Sequence, residues 1–260
     1  MEYKSARLHF DAGAALVTLD RPEKRNALSY ELIDELLAMF EEVAKSSARV
    51  LVLTGAGKAF CAGMDLENLK GFIGRTPEQN LKDSEKVAQL FRTLYDFPKP
   101  TIAAVNGAAI GGGVGLATLC DFTLASAGAK FGYTEVRIGF VPAIVSVFLL
   151  RQVGEKAARD LLLTGRLFDA EEARRIGLVK EIVSADKLLE GASELARQLV
   201  ENSPESLRAT KRLLTAYARV ELDKQMELAV RENAAIRTTD DFHEGISAFL
   251  EKRKPRWSET

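Results

Sequence analysis

Cysteine and histidine are scarce in this chain, which holds only Cys61, Cys120, His9 and His243. Neither pair has metal-ligand spacing, which argues against a structural zinc site, and two cysteines make no disulfide framework. Cys61 lies in the stretch AFCAGMDL, but with no histidine near it in sequence it reads as a small buried apolar residue rather than a nucleophile. No hydrophobic run approaches the length that crosses a bilayer. The N-terminal MEYKSARLHFDAG is mixed and polar, which predicts neither a signal nor a transit peptide. An excess of one charge is missing too. Lys and Arg number 36 against 37 Asp and Glu, a net charge of -1, so no whole-protein attraction to nucleic acid or an anionic membrane is expected. What remains is a cytoplasmic, enzyme-sized chain, 47% hydrophobic and 28% charged, whose chemistry is expected to use carboxylates or backbone groups.

The first half alternates short apolar strands with helices. RLHFDAGAALVTLD predicts a hairpin turning at Asp11–Gly13, and Ser29 can cap the amphipathic helix that follows. RVLVLTGAG is a continuous apolar strand of the kind buried on both faces. Thr76, Pro77 and Gln79 make a capping box ahead of another helix, and TIAAV precedes a glycine stretch. DFTLAS and AKFGY add two strands, after which helices dominate: PAIVSVFLLRQVG, EKAARDLLLTG, and patterns at about 186–201, 204–218, 221–236 and 240–250. Alternation followed by helices predicts an α/β core with a helical tail, whose apolar faces invite oligomerisation.

Three consecutive glycines, Gly111, Gly112 and Gly113, interrupt the apolar run AAVNGAAIGGGVGLA. A phosphate loop needs a Lys-Ser/Thr pair after its last glycine, and here GVGLATLC follows. A dinucleotide fingerprint needs a glycine where Leu116 stands, and five residues already separate Val105 from Gly111. Two readings remain. Either the glycines let a strand and helix pack closely, or they open a helix near Gly112 or Gly113 whose free amides face developing negative charge. In the second case each donor is worth roughly 3 kcal/mol in the transition state. GAGKAFCAGMDL has the same character, with Gly63 ahead of Met64. Glu135, set among apolar residues in AKFGYTEVRIGFVP, is either a general base raised by desolvation or an exposed strand-end residue.

Taken together, RPEKRNALS, GAGKAFCAGMDL, KPTIAAVNGAAIGGGVGLATLCDF, AKFGYTEVRIGFVP and AFLEKRKPRW resemble, in order and spacing, the enoyl-CoA hydratase/isomerase (crotonase) superfamily. The resemblance implies an α/β fold with a crotonase-like ββα spiral core, residues 1–195, and a C-terminal helical trimerisation region, residues 196–260, that covers the active site. It also implies a homotrimer or a hexamer of paired trimers. Members bind an acyl-CoA thioester and stabilise its enolate with two backbone amides, which carry over to Met64 and Gly112. The backbone of Ala62, Asp65 and Leu66 then lines the coenzyme A path. Lys24 or Arg25 meets a CoA phosphate, and Lys252 matches a lysine that reaches a neighbouring subunit's nucleotide. Coenzyme A is part of the substrate, so no separate cofactor or metal is implied.

Two departures bear on the reaction. Hydratases of the family use two glutamates; the second corresponds to Glu135, but the first falls where this chain has Gly115. A lone carboxylate still shuttles a proton between carbons, as in related isomerases. Many hydratases also carry a glycine-rich segment where this chain has VPAIVSVF, so Ile144 and Val145 are expected to reshape the acyl pocket. The resemblance thus implies an enoyl-CoA hydratase-type lyase, with a branched or carboxylated substrate such as methylglutaconyl-CoA in view. The alternatives are a double-bond isomerase relying on Glu135 alone and a non-catalytic acyl-CoA-binding protein. Arg137, two residues from Glu135, is either a partner for a substrate carboxylate or a sheet-edge arginine.

Overall fold

The computed structural model describes residues 3–258. Strands β1 (Ala6–Asp11) and β2 (Ala14–Leu19) form the expected antiparallel hairpin. Helix α1 (Tyr30–Lys45) is capped by Ser29, whose side chain accepts from the Leu32 N–H. From there a strand–strand–helix unit recurs. β3 (Val50–Gly55) and β4 (Ala59–Cys61) lead into α2 (Leu66–Lys70) and α3 (Pro77–Tyr95). β5 (Thr101–Val105) and β6 (Ala108–Ile110) lead into α4 (Gly112–Leu119). β7 (Phe122–Ser126) and β8 (Lys130–Gly132) lead into a 3-10 turn, Glu135–Ile138, and α5 (Ala143–Thr164).

The first strand of each unit enters one sheet, ordered β1-β2-β3-β5-β7 and closed by β10 (Glu181–Val183). The second enters another, ordered β4-β6-β8 and closed by β9 (Leu167–Asp169), after which comes α6 (Ala170–Arg175). The chain therefore winds as a ββα spiral. Its successive turns are in parallel register, β3 on β5 and β5 on β7, β4 on β6 and β6 on β8. Strand-to-helix turns of neighbouring units consequently stack at the same end of the sheets, the arrangement in which open α/β folds place ligands.

The apolar strands are buried on both faces, as their continuous patterns predict. Leu51, Leu53, Ala103 and Val105 join the main core, whereas Val50, Val52, Ile102 and Ala104 pack under α7 (Leu188–Glu201) through Leu188, Ala192 and Ala196. The expected division after residue 195 falls inside this helix, which is a layer of the core as far as Glu201. Beyond it, α8 (Pro204–Ala235) is one continuous helix rather than the two segments expected at 204–218 and 221–236. No glycine or proline follows Pro204 in that span, so nothing interrupts the hydrogen-bond ladder. α5, by contrast, breaks at Gly154, whose φ of 76° is non-helical, where the sequence places the boundary between two helices. Helix α9 (Asp240–Leu250) packs back on the Glu135–Ile138 turn. Among the described residues no helix is long and apolar enough to cross a membrane.

Candidate active site

Two strand-to-helix turns meet backbone to backbone. A Cβ on Gly113 would lie 2.1 Å from the Cys61 carbonyl oxygen, and one on Gly63 would lie 2.9 Å from that of Ile110. Gly63 also has φ +86°, a left-handed conformation that favours glycine. These contacts hold the β4–α2 turn against the β6–α4 turn. Leu28 fixes the first turn further: its N–H donates to Gly63 O at 2.7 Å, and its carbonyl accepts from the Asp65 N–H at 3.0 Å. Both bonds skip Met64, as in any parallel bridge, so the Met64 N–H has no acceptor among the described residues. Gly112 is the first residue of α4, and its N–H likewise lacks a partner. Both residues line one cavity of about 520 Å³.

The three glycines have three separate reasons. Gly113 admits the β4 backbone. A Cβ on Gly112 would enter the gap between Leu28 Cδ1, at 3.2 Å, and Phe91 Cζ, at 3.4 Å, both cavity-lining residues. Gly111, at φ +55°, would put its Cβ 3.1 Å from Glu135 Oε1. Close backbone packing at Gly113 and a helix start with an unpartnered N–H at Gly112 thus occur together, one glycine apart.

Glu135 opens the 3-10 turn and lines the same cavity. The residue is half-buried, but its Oε2 is fully buried and has no hydrogen-bond partner. Burial pushes its carboxyl up to about 7, only partly opposed by the hydrogen bond from its own backbone. Three other carboxylates line the cavity: Asp65 is committed elsewhere, as cap of α2 and partner of Arg21 at 2.8 Å, Glu67 pairs with Lys70, and Glu23 is exposed to solvent beside Lys24. At Gly115, a Cβ would lie 2.7 Å from Val145 Cγ1 and 3.2 Å from Phe91 Cε1. The space beside a glycine here is filled, so Val145 occupies the ground a second carboxylate would need.

Of the expected coenzyme A contacts, Lys24 and Arg25 stand exposed at the cavity, with Ala62 and Asp65 also lining it. The Ala62 N–H donates to Arg25 O at 3.0 Å, tying the basic turn to the amide-bearing turn. Leu66 opens α2, and its side chain lies outside the described residues. Lys252 is exposed just beyond α9 and is not part of the lining, and neither is the exposed Arg137. Ile144 and Val145 do line it. Cys61 is buried, its thiol pushed up to about 12 by burial, which leaves it no nucleophilic thiolate at neutral pH. No group of His, Cys, Asp and Glu among the described residues is disposed to hold a metal ion.

Sequence reasoning missed several residues of this site. Arg21 bonds both Asp65 and the Ala27 carbonyl, at 2.8 and 2.6 Å, so one guanidinium braces two lining loops. Asn233 and Arg237 enter the cavity wall from the end of α8. The only local signal for them is polar side chains four residues apart in an otherwise apolar stretch, NAAIR.

The enoyl-CoA hydratase/isomerase family profile matches residues 9–260. An enoyl-CoA hydratase homologue of Thermus thermophilus is 50% identical over 244 residues, covering 94% of this chain and 96% of that one. The 2,3-dehydroadipyl-CoA hydratase of Escherichia coli is 38% identical, over 92% and 93%. Among solved structures, an enoyl-CoA hydratase/isomerase from Xanthobacter autotrophicus Py2 superposes with a TM-score of 0.90 at 29% identity, covering 99% of this chain and 100% of that one. Another, from Pseudoalteromonas atlantica T6c, gives 0.88 at 32%, over 98% and 100%. With a profile matching nearly end to end and relatives this similar, the chain belongs to the enoyl-CoA hydratase/isomerase family.

Proposed function

We propose that the protein adds water across the C2–C3 double bond of a 2-enoyl-CoA thioester. The observation that carries this reading is the convergence, in one cavity, of two amides without acceptors and one buried carboxylate oxygen without a donor. The Met64 and Gly112 N–H groups receive the thioester oxygen as it gains charge. Glu135 takes a proton from water as the water oxygen bonds to C3, and returns that proton to C2 as the enolate collapses. One carboxylate serves both transfers, so hydrogen and hydroxyl add to the same face. The addition involves no redox change, and coenzyme A enters only as part of the substrate. Branched or carboxylated acyl groups, methylglutaconyl-CoA among them, fall within the proposal; the name of the E. coli relative supports the carboxylated class.

The absence of a second carboxylate at Gly115 favours one other reading, a double-bond isomerase in which Glu135 moves a proton between two carbons. Incubating the purified protein separately with a 2-enoyl-CoA, a 3-enoyl-CoA and methylglutaconyl-CoA, and identifying the products, separates the two. A 3-hydroxyacyl-CoA product is expected; migration of the double bond without water uptake would replace hydratase by isomerase. Tight binding without turnover of any would leave an acyl-CoA-binding protein.

α8 also carries an exposed apolar row, Leu213, Leu214, Tyr217 and Val220, which supports the proposed assembly into a trimer or paired trimers; a cytoplasmic location belongs to the same proposal.

A further inference from the structure

The cavity has a charged wall that hydration of a plain enoyl chain does not use. Arg237 lies in the 3-10 turn after α8 and lines the cavity with only 2% of its surface exposed. Its Nη1 bonds Asp83 Oδ2 at 2.5 Å, its Nη2 bonds Asn233 Oδ1 at 2.7 Å, and its guanidinium stacks 3.9 Å from the Phe72 ring centre. Asp83 is shared: its other oxygen takes Arg75 Nη1 at 3.2 Å. Among the described residues it is the one carboxylate paired with either arginine. Two guanidiniums, which keep their charge, therefore face a single buried negative group. Lys86 adds a positive field on Asp83 but is itself paired with Asp34, and His243 approaches only the Arg237 carbonyl. Arg75 keeps 26% of its side chain exposed and also donates to Tyr30 Oη at 3.0 Å, so the buried Arg237 shares its one carboxylate with a partly solvated cation, and an anion brought to this wall supplies the second negative charge.

Unused donors are present for one. Arg237 Nε bonds to nothing but has no exposed surface of its own, so a carboxylate reaches it only where neighbouring side chains give way. The Asn233 amide can be oriented from its neighbours: Arg237 only donates, so the atom facing it is the oxygen, and Ser84 Oγ donates to that same oxygen at 2.8 Å. The Asn233 Nδ2 group is left without a partner among the described residues, on a side chain that lines the cavity. Leu69, Val87, Phe91, Ile138 and Phe140 supply apolar lining suited to methylene groups.

We propose that Arg237 and Asn233 form a receptor for a carboxylate at the far end of the acyl chain, so that the substrates are CoA thioesters of dicarboxylic acids. The inference rests on the reading of the cavity as an acyl-CoA site, and saturated thioesters test it without requiring turnover. Adipyl-CoA and hexanoyl-CoA have the same chain length and differ only at the end carbon, as do glutaryl-CoA and pentanoyl-CoA. In calorimetric titrations of the intact protein, the dicarboxylic member of at least one pair is expected to bind about 30-fold more tightly. Asn233→Asp keeps the oxygen that Ser84 and Arg237 need and supplies the missing negative charge from within, so it is expected to bring the ratio close to one in a folded protein. Arg237→Met is expected to do the same, but it strips Asp83 of a buried partner, and the Asn233 variant keeps the test open if that protein fails to fold. Equal binding, or preference for the neutral chain in both pairs, overturns the receptor while leaving the acyl-CoA site in place. Binding of none of the four thioesters overturns both.

Discussion

Glu135 sits where burial opposes charge, and the opposition has consequences in two directions. Its carboxyl is raised from 4.5 to about 7 by desolvation, so between those values the folded protein holds a proton that the unfolded chain has released. Stability is accordingly expected to fall as pH rises through that window and to level off above it. Glu135→Gln removes the penalty, and urea unfolding at pH 8 is expected to show it more stable by about 2–3 kcal/mol, with hydration abolished. Activity has the opposite slope. A base must be ionised, so kcat/KM is expected to climb with an apparent pKa near 7; a flat profile from about pH 6 to 8 would take Glu135 out of that role. Gly115 offers a second check. With Val145 at 2.7 Å from a Cβ there, Gly115→Glu is expected to cost about 2–3 kcal/mol in denaturant titrations, and Val145→Ala in the same chain to recover part of it. Wild-type stability in the single variant would refute this packing account.

At the scale of elements, the amides of the site owe their direction to contacts between turns rather than to any one turn. Asp65 caps α2 through the Glu67 N–H at 2.9 Å and holds Arg21 with its other oxygen, while Arg21 reaches across to Ala27 O. Asp65→Ala removes the cap and leaves a mostly buried guanidinium unpaired. A loss of about 3 kcal/mol is expected in chemical denaturation, with kcat reduced more than KM is raised, because the Met64 amide loses its fixed aim. Element boundaries were largely legible in the sequence because their determinants are local. The Ser29 and Thr76 caps, the Asp11–Gly13 turn and the break at Gly154 each act within a few residues. The single span of α8 was harder to read, since its continuity depends on the absence of breakers and on packing against α3 and α5, not on a strong apolar period.

For the whole molecule, the exposed row on α8 is the surface most in need of a partner. Leu214→Asp combined with Tyr217→Asp, both side chains being more than half exposed, is expected to leave the fold intact and to shift the protein to a monomer in sedimentation velocity. An unchanged sedimentation coefficient would remove this row as an assembly interface.

By itself, the sequence determined most of the elements and the helix start at Gly112, and it pointed to Glu135 as the candidate base and to Gly115 in place of a second acid, because glycine, caps and apolar periods act on their own neighbourhood. Only the tertiary structure decided what surrounds them. Asp83 and Arg237 stand 154 positions apart, and Ser84 and Asn233 149 apart, yet they form one buried network in the cavity wall. Arg137, close to Glu135 in sequence, turns out exposed, whereas the buried cation of the cavity arrives from the far end of α8. Charge balance in a desolvated site is summed over whatever the fold brings within a few ångströms, and that sum is invisible along the chain.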